Sequence, residues 1–456
     1  MPLTEFLSPR ERVLCTLRHE VPDRTPLFIK AEKEVWPALC QYLGVKDSEE
    51  VMKRLGIDIR SVAPRYVGPP IQVFDDGSFI DPWGHHRKVV MHTFGSYFEY
   101  AGFPLAQARS VDDMAAYPWP KADWWDVSHI PEEIRQFDRD GDYAILYEAG
   151  SVFETGWGLR GLEGFLIDMA AAPEVSDFIM ARWADFWTEL GCRVLEAADG
   201  RIDIAWTWDD IGTQNGPMIS PRMWARQIKP HHVRMNRAFK EYGVKLMYHS
   251  CGSIMPFIEG LIDMGVDILN PLQPRARGMD SRELKRRFGA RLVFHGGVDE
   301  QQVLPYGSEE QVRQEVRGRI AAFAPGGGYV LAPAHNADPR SLLSEHERKR
   351  LAEWRTYHGQ FASTDSWKRD QDLPHNPTSS LNLNLTWVVS RDPHKHYPEK
   401  GYFGLSISGL YNSGPVSQYI KTHLNSIALE HYPDIQVTSG RNWALFMNSR
   451  FVQAQL

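Results

Sequence analysis

At 456 residues, 43% hydrophobic and 24% charged, the chain has the balance of a globular protein with a sizeable core, longer than one typical domain, which excludes wholesale disorder. A formal net charge of −7 leaves no basic footprint for nucleic acid or an anionic membrane, and no apolar run reaches the roughly 18 residues of a membrane span. The charged N-terminus "MPLTEFLSPRERVLCTLRHE" does not read as a signal peptide, and Cys15, Cys40, Cys192 and Cys251 follow no disulfide-like spacing, so a cytoplasmic protein with reduced thiols and a small-molecule substrate is expected.

In chain order, "TPLFIK" and "IDIRSVAP" are the first apolar runs of the kind that form buried parallel strands. A long excursion follows, from about Tyr66 to Arg139. Within it "DDGSFIDPWGHHRKVV" reads as a β-hairpin with Asp76-Gly77 at its turn, and the excursion is expected to lid one face of the domain. Its tryptophan-rich "YPWPKADWWDV" either packs the lid down or lines a planar ligand. Six further strands, "DYAILYE", "RIDIAWTW", "VKLMYH", "VDILNP", "ARLVFHGG" and "GGGYVLAP", alternate with amphipathic helical stretches. Helix punctuation agrees: Ser220 caps Pro221, Ser308 and Gln311 form a capping box, and Gly243, Gly265 and Gly289 close helices. Pro230 predicts a kink or a division into two helices. Eight strands close a (β/α)8 barrel, so the α/β class is expected as a TIM barrel with a hairpin-containing lid insertion. After about Trp354 the pattern changes. "TYHGQFASTDSWKRDQDLPHNPT" reads as a linker, and "SSLNLNLTWVVSRD" and "GYFGLSISGLY" alternate with period two. The chain is therefore divided into a barrel, 1–354, and a C-terminal β-rich extension, 355–456.

In such a barrel the reactive groups sit where strands end and βα loops begin. The polar residues at those places are Glu148, Asp209, Asp210, Gln214, His249, Cys251, Asn270, Gln273, Asp299 and His335. Imidazole nitrogen and thiolate sulfur suit zinc, and a catalytic zinc keeps three protein ligands with one open position. His249 and Cys251 are the candidate pair, His335 the candidate third ligand, and Glu148 either a further oxygen donor or a surface or salt-bridged carboxylate. The bland alternative is a buried apolar cysteine beside a hydrogen-bonded strand-end histidine. Asp209 and Asp210 either orient substrate or a ligating histidine, or cap the next helix. Gly296-Gly297 and Gly326-Gly327-Gly328 form no dinucleotide fingerprint, so neither NAD nor ATP is inferred.

Taken together, "SPRERVLCTLRHEVPDRTPLFI", "DDIGTQNGPMISPRMW", "YHSCGSIMPFIEGLIDMGVDILNPLQ", "MDSRELKRRFGARLVFHGGVD" and "GGGYVLAPAHN" resemble the uroporphyrinogen decarboxylase superfamily, in particular its cobamide- and thiol-dependent methyltransferase-like branch. The resemblance runs over roughly residues 8 to 338 and implies a TIM-barrel enzyme acting at its C-terminal rim. In that branch an HxC pair like His249 and Cys251, with a later cysteine, binds zinc that activates a thiol to take a methyl group from a corrinoid on a partner protein. Here no cysteine follows Cys251, and His335 stands in the matching place. The true decarboxylases hold no metal and use an aspartate, whose match is Asp58; their arginine-rich motif is absent here, where "PLFIKAEKEVW" stands instead. The expected function is a zinc-dependent methyltransferase, with Asp209, Asp210 and Gln214 positioning substrate or the metal ligands and Asn270, Gln273 and Asp299 binding the cofactor. The alternatives are a tetrapyrrole decarboxylase using Asp58 and a non-catalytic ligand-binding barrel.

Overall fold

The structure, a computed structural model, describes residues 6–92 and 95–337 and five strand segments between 382 and 452. The chain divides into two compact units, residues 1–344 and 345–456. In the first, seven strands form one sheet in chain order: β1 (Ile59–Val62), β2 (Ala144–Gly150), β3 (Ile204–Trp208), β4 (Lys245–His249), β5 (Ile268–Asn270), β6 (Val293–Val298) and β7 (Tyr329–Pro333). Every neighbouring pair is parallel. "TPLFIK" fills the eighth position. Phe28 N–H donates to the Leu331 carbonyl, Leu331 N–H to that of Pro26, and Asp58 N–H to that of Leu27, so this segment joins β7 back to β1. It does so through single bridges, Leu27 to Leu331 and Ala31 to Ala337, and Pro26 has no N–H to extend a ladder.

Alternation along each strand builds two apolar layers. Ile59, Ala144, Leu146, Ile204, Trp206, Met247, Ile268, Val293 and Val330 meet Phe28 in one cluster, the barrel interior. The intervening residues, among them Ile145, Tyr147, Leu246, Tyr248, Leu269 and Phe294, join the larger cluster with the surrounding helices. Being apolar on both faces, these strands read as nearly continuous hydrophobic runs, which is why their positions were visible in the sequence.

The helix boundaries follow side-chain chemistry. Ser220 accepts from Met223 N–H ahead of Pro221, and Ser308 and Gln311 cap one another's backbone. Pro230 divides its stretch into Pro221–Gln227 and Lys229–Lys240. Gly243 and Gly265 take positive φ, 79° and 89°, at the ends of their helices. Gly289 does not: it stays right-handed at φ −63° and donates its N–H to Lys285.

The excursion after β1 carries a three-stranded antiparallel sheet, Phe79–Ile80, His86–His92 and Gly95–Gly102. The hairpin turns at Asp81 to Gly84, where the Asp81 carboxylate accepts from the N–H groups of Trp83 and His85 and Gly84 takes φ 85°. The expected Asp76-Gly77 turn exists, but it closes only a small loop bridged by Val73 and Phe79. The aspartate that accepts two backbone N–H groups sets the larger reversal. In the second unit Asn382–Val389 pairs antiparallel with Gly401–Ser408, and Ile435–Thr438, Ala444–Met447 and Arg450–Val452 form a three-stranded meander. The expected linker at 356–378 lies outside the described residues. Among the described residues no helix is long and apolar enough to cross a membrane.

Candidate metal centre

Parallel strands deliver their C-terminal ends to one rim. There His249, the last residue of β4, stands in register with Trp208 of β3 and Asn270 of β5. Its Nδ1–H donates to Asn270 Oδ1 at 2.6 Å, and the Asn270 amide in turn donates to His295 Nδ1 at 2.7 Å. An amide oxygen only accepts, so the His249 proton resides on Nδ1 and Nε2 offers its lone pair. That Nε2 lies 3.5 Å from Cys251 Sγ and 3.7 Å from Asp210 Oδ1. The His335 ring meets the His249 ring edge to face at 5.6 Å between centroids. One donor atom from each of His249, Cys251 and His335 falls within 4.8 Å of the others. The structure therefore brings together the three residues that the sequence placed on two loops.

The loop holding Cys251 is tied on several sides. Cys251 N–H donates to Asp210 Oδ1 at 2.7 Å and Gly252 N–H to Gln273 Oε1 at 2.7 Å, while Ser250 Oγ accepts from Ile211 N–H at 3.1 Å. Gly252 takes φ +85°, and a Cβ there would sit 2.6 Å from the Thr213 carbonyl oxygen, so only glycine lets these two loops meet. Asn270, Gln273 and Asp210 thus hold the cluster in place.

Burial pushes the Cys251 thiol well above its ordinary range, and Asp210 and Glu300 push the same way. Burial also lowers His249, to about 4, against the opposing pull of Asp210. Both groups are neutral at pH 7. A divalent cation is what would relieve a thiol surrounded by carboxylates, and a neutral imidazole is ready to bind one.

Asp209 does not cap the helix that follows it. Fully buried, it accepts from His232 Nε2 at 2.6 Å and from Glu154 N–H at 2.7 Å, which ties it to the start of the helix Phe153–Arg160 after β2. Gln214 donates to the Arg275 carbonyl and accepts from Gln301, so it links exposed loops and is not one of the donors of the cluster. Asp299 is held by the Arg275 guanidinium and caps the turn at Gln301 and Gln302. Glu148, expected as an oxygen ligand, instead grips Lys30 Nζ at 2.7 Å, and that ammonium also lies over the Trp206 ring at 4.6 Å. Its carboxylate is spoken for by the cation, so Glu148 stands outside the cluster of donors.

Asp58 requires a correction. It precedes β1 and so lies at the opposite, N-terminal end of the barrel. There it accepts from Arg12 Nη1 at 2.6 Å, Arg24 Nη1 at 2.7 Å and Leu27 N–H at 2.7 Å. Asp58 is fully buried, and its partners make it an anchor between the N-terminal helix and the closing strand, not a group that faces substrate.

Three residues missed in the sequence complete the surroundings: His232, His295 and Glu154. Glu154 is pushed up to about 8, first by burial and then by Asp210 and Asp209, and its carboxylate takes the Asp210 N–H. It lies four residues beyond the end of β2, at the same rim; the rule that strand ends carry the chemistry would have found it.

A family model described as uroporphyrinogen decarboxylase (URO-D) matches residues 108–347. No curated protein matches the sequence. Among solved structures, a methyltransferase from Methanosarcina mazei shares the fold at 16% identity and TM-score 0.50, over 76% of this chain and 100% of that one. A B12-independent methionine synthase from Shewanella sp. W3-18-1, in complex with selenomethionine, matches at 10% identity and TM-score 0.34, over 66% of this chain and 81% of that one. The family match spans more than half of the 456 residues, and the parallel strands and intervening helices it covers are those of the barrel: the chain belongs to the uroporphyrinogen decarboxylase family.

Proposed function

We propose that the chain is a zinc-dependent methyltransferase that moves a methyl group onto a thiol, from a corrinoid held by a partner protein or from another methyl donor. One observation carries this reading: the donor atoms of His249, Cys251 and His335 approach within 4.8 Å of one another at the C-terminal rim. Two imidazoles and a thiol form a donor set suited to zinc, with room for a fourth ligand from substrate. When bound, the ion would lower the pKa of a substrate thiol so that it is a nucleophile at neutral pH.

The chain's own residues do the positioning. Asn270 fixes the tautomer of His249 and turns Nε2 toward Cys251, and His295 accepts from the same amide, so the imidazole is oriented from behind. Asp210 and Gln273 hold the Cys251 loop through backbone N–H groups. The test is methylation of a thiol by zinc-loaded protein with methylcobalamin as donor. Turnover is expected with wild type and its loss with Cys251→Ala or a chelator. Equal turnover in the presence and absence of zinc would refute the assignment.

A further inference from the structure

We propose that the cavity under the hairpin sheet binds an organic cation whose nitrogen carries methyl groups, and that this cation is the methyl-bearing substrate of the site; the second half rests on the function proposed above. The cavity measures about 610 Å³, ample for a small metabolite, and its walls include Trp83, Tyr100, Trp125, Tyr147, Trp187 and Trp208. None of the three donor residues lines it; the link to the cluster runs through Glu154, which lines the cavity and accepts from Asp210 N–H, and Asp210 Oδ1 lies 3.7 Å from His249 Nε2.

Charge decides between a neutral and a cationic occupant. Four charged side chains line the cavity: Glu133, Glu148, Glu154 and Arg87. Glu148 is engaged by Lys30, Glu133 faces His129 Nε2 at 3.2 Å, and Arg87 pairs with Asp81 at 3.3 Å while lying over the Tyr100 ring. Glu154 receives one backbone N–H from Asp210, and Arg87, paired with Asp81, attracts it only from beyond ion-pair distance. Burial and the neighbouring aspartates make its negative charge unfavourable as it stands, and an occupant bearing positive charge would remove that penalty.

The walls then decide which cation. A primary ammonium carries three N–H donors, each of which needs an acceptor once it leaves water. The aromatic faces offer none, so all three donors would fall to Glu154 and the few other polar groups of the wall. A quaternary or tertiary N-methyl ammonium has few or no such donors, presents a low-charge-density methyl surface, and is attracted by ring faces. On the proposed function the chemistry balances without a further reagent. The thiol gives its proton to solvent, its sulfur forms a bond to an N-methyl carbon, the C–N bond breaks, and the electron pair leaves on nitrogen as a neutral amine.

The experiment is calorimetric titration of the full chain with choline, its neutral carbon isostere 3,3-dimethylbutan-1-ol, and ethanolamine. Choline is expected to bind at least about tenfold more tightly than either of the others. Equal affinity for choline and the isostere would show an apolar cage only, equal affinity for choline and ethanolamine a carboxylate only, and absence of choline binding no cation site; each overturns the proposal. The comparison needs no variant. Glu154→Gln should reduce the preference for choline over the isostere to within about threefold, and an unchanged preference in folded protein would also overturn it. Cys251→Ala should keep choline binding while losing metal, so a failure of the zinc reading and a failure of this one give different results.

Discussion

Replacing Glu154 by glutamine tests the electrostatics of the rim. In chelator-treated protein the carboxyl is held at about 8 where a solvated glutamate ionises near 4.5. Because the folded value lies above the unfolded one, the protonated carboxyl's contribution to stability is fully present below about pH 4.5 and is lost as pH rises through about 8. At about 1.4 kcal/mol for each pH unit between the two values, the ionised side chain should destabilise the fold by roughly 3 to 5 kcal/mol at pH 9. Glutamine is a near-isostere that never ionises. Guanidinium midpoints, followed by tryptophan fluorescence at pH 4, 7 and 9, should therefore nearly coincide for the two proteins at pH 4 and separate progressively, with Glu154→Gln the more stable at high pH. Parallel pH dependences would refute the reasoning, since they would mean that Glu154 ionises as freely in the fold as in water.

Further substitutions probe other links. Asn270→Ala removes both the acceptor for His249 and the donor to His295 and should weaken zinc binding by roughly 10- to 100-fold in a competition titration; unchanged affinity would show that the amide does not orient the ligand. Asp58→Ala leaves Arg12 buried without one of its carboxylates and should destabilise the barrel by roughly 3–5 kcal/mol, yet leave zinc content intact in the folded fraction. Loss of metal from that folded fraction would contradict its placement at the far end. Gly150→Ala would set a Cβ 2.1 Å from the Trp187 ring at φ +104°, so a lowered thermal midpoint is expected, and an unchanged one would mean that the strand end yields more readily than its packing suggests.

The fold was legible where physics acts locally. Strands β2 to β7 are apolar on both faces, so "AILYE", "IAWTW" and "LVFHGG" stood out as runs, and the serine caps at Ser220 and Ser308 marked helix starts through one hydrogen bond each. The hairpin turn was harder, because Asp76-Gly77 and Asp81 to Gly84 carry the same turn chemistry and only the pairing of His86–His92 with both neighbours decides which reversal is larger. At the rim, spacing could name His249 and Cys251 but could not bring His335 to them; that takes ring closure between β7 and β1. Asp58 misled because the family resemblance was weighed above its place: it precedes its strand, so chain order puts it at the N-terminal end, where Arg12 and Arg24 converge on it. Asp209 shows the reverse: it looked like a cap for its own helix, while the acceptor it supplies serves a helix that begins more than fifty residues earlier. Long-range partners of buried carboxylates are set by topology, and a single sequence does not display them.

The central claim is that one imidazole from each of two barrel loops and the thiol of Cys251 grip a single ion. X-ray absorption at the zinc edge of protein loaded with one equivalent of metal tests it most directly. The account predicts a shell with one sulfur at about 2.3 Å and two imidazole nitrogens at about 2.0–2.1 Å, the sulfur vanishing in Cys251→Ala. A shell of oxygen and nitrogen alone in the wild-type protein would contradict it.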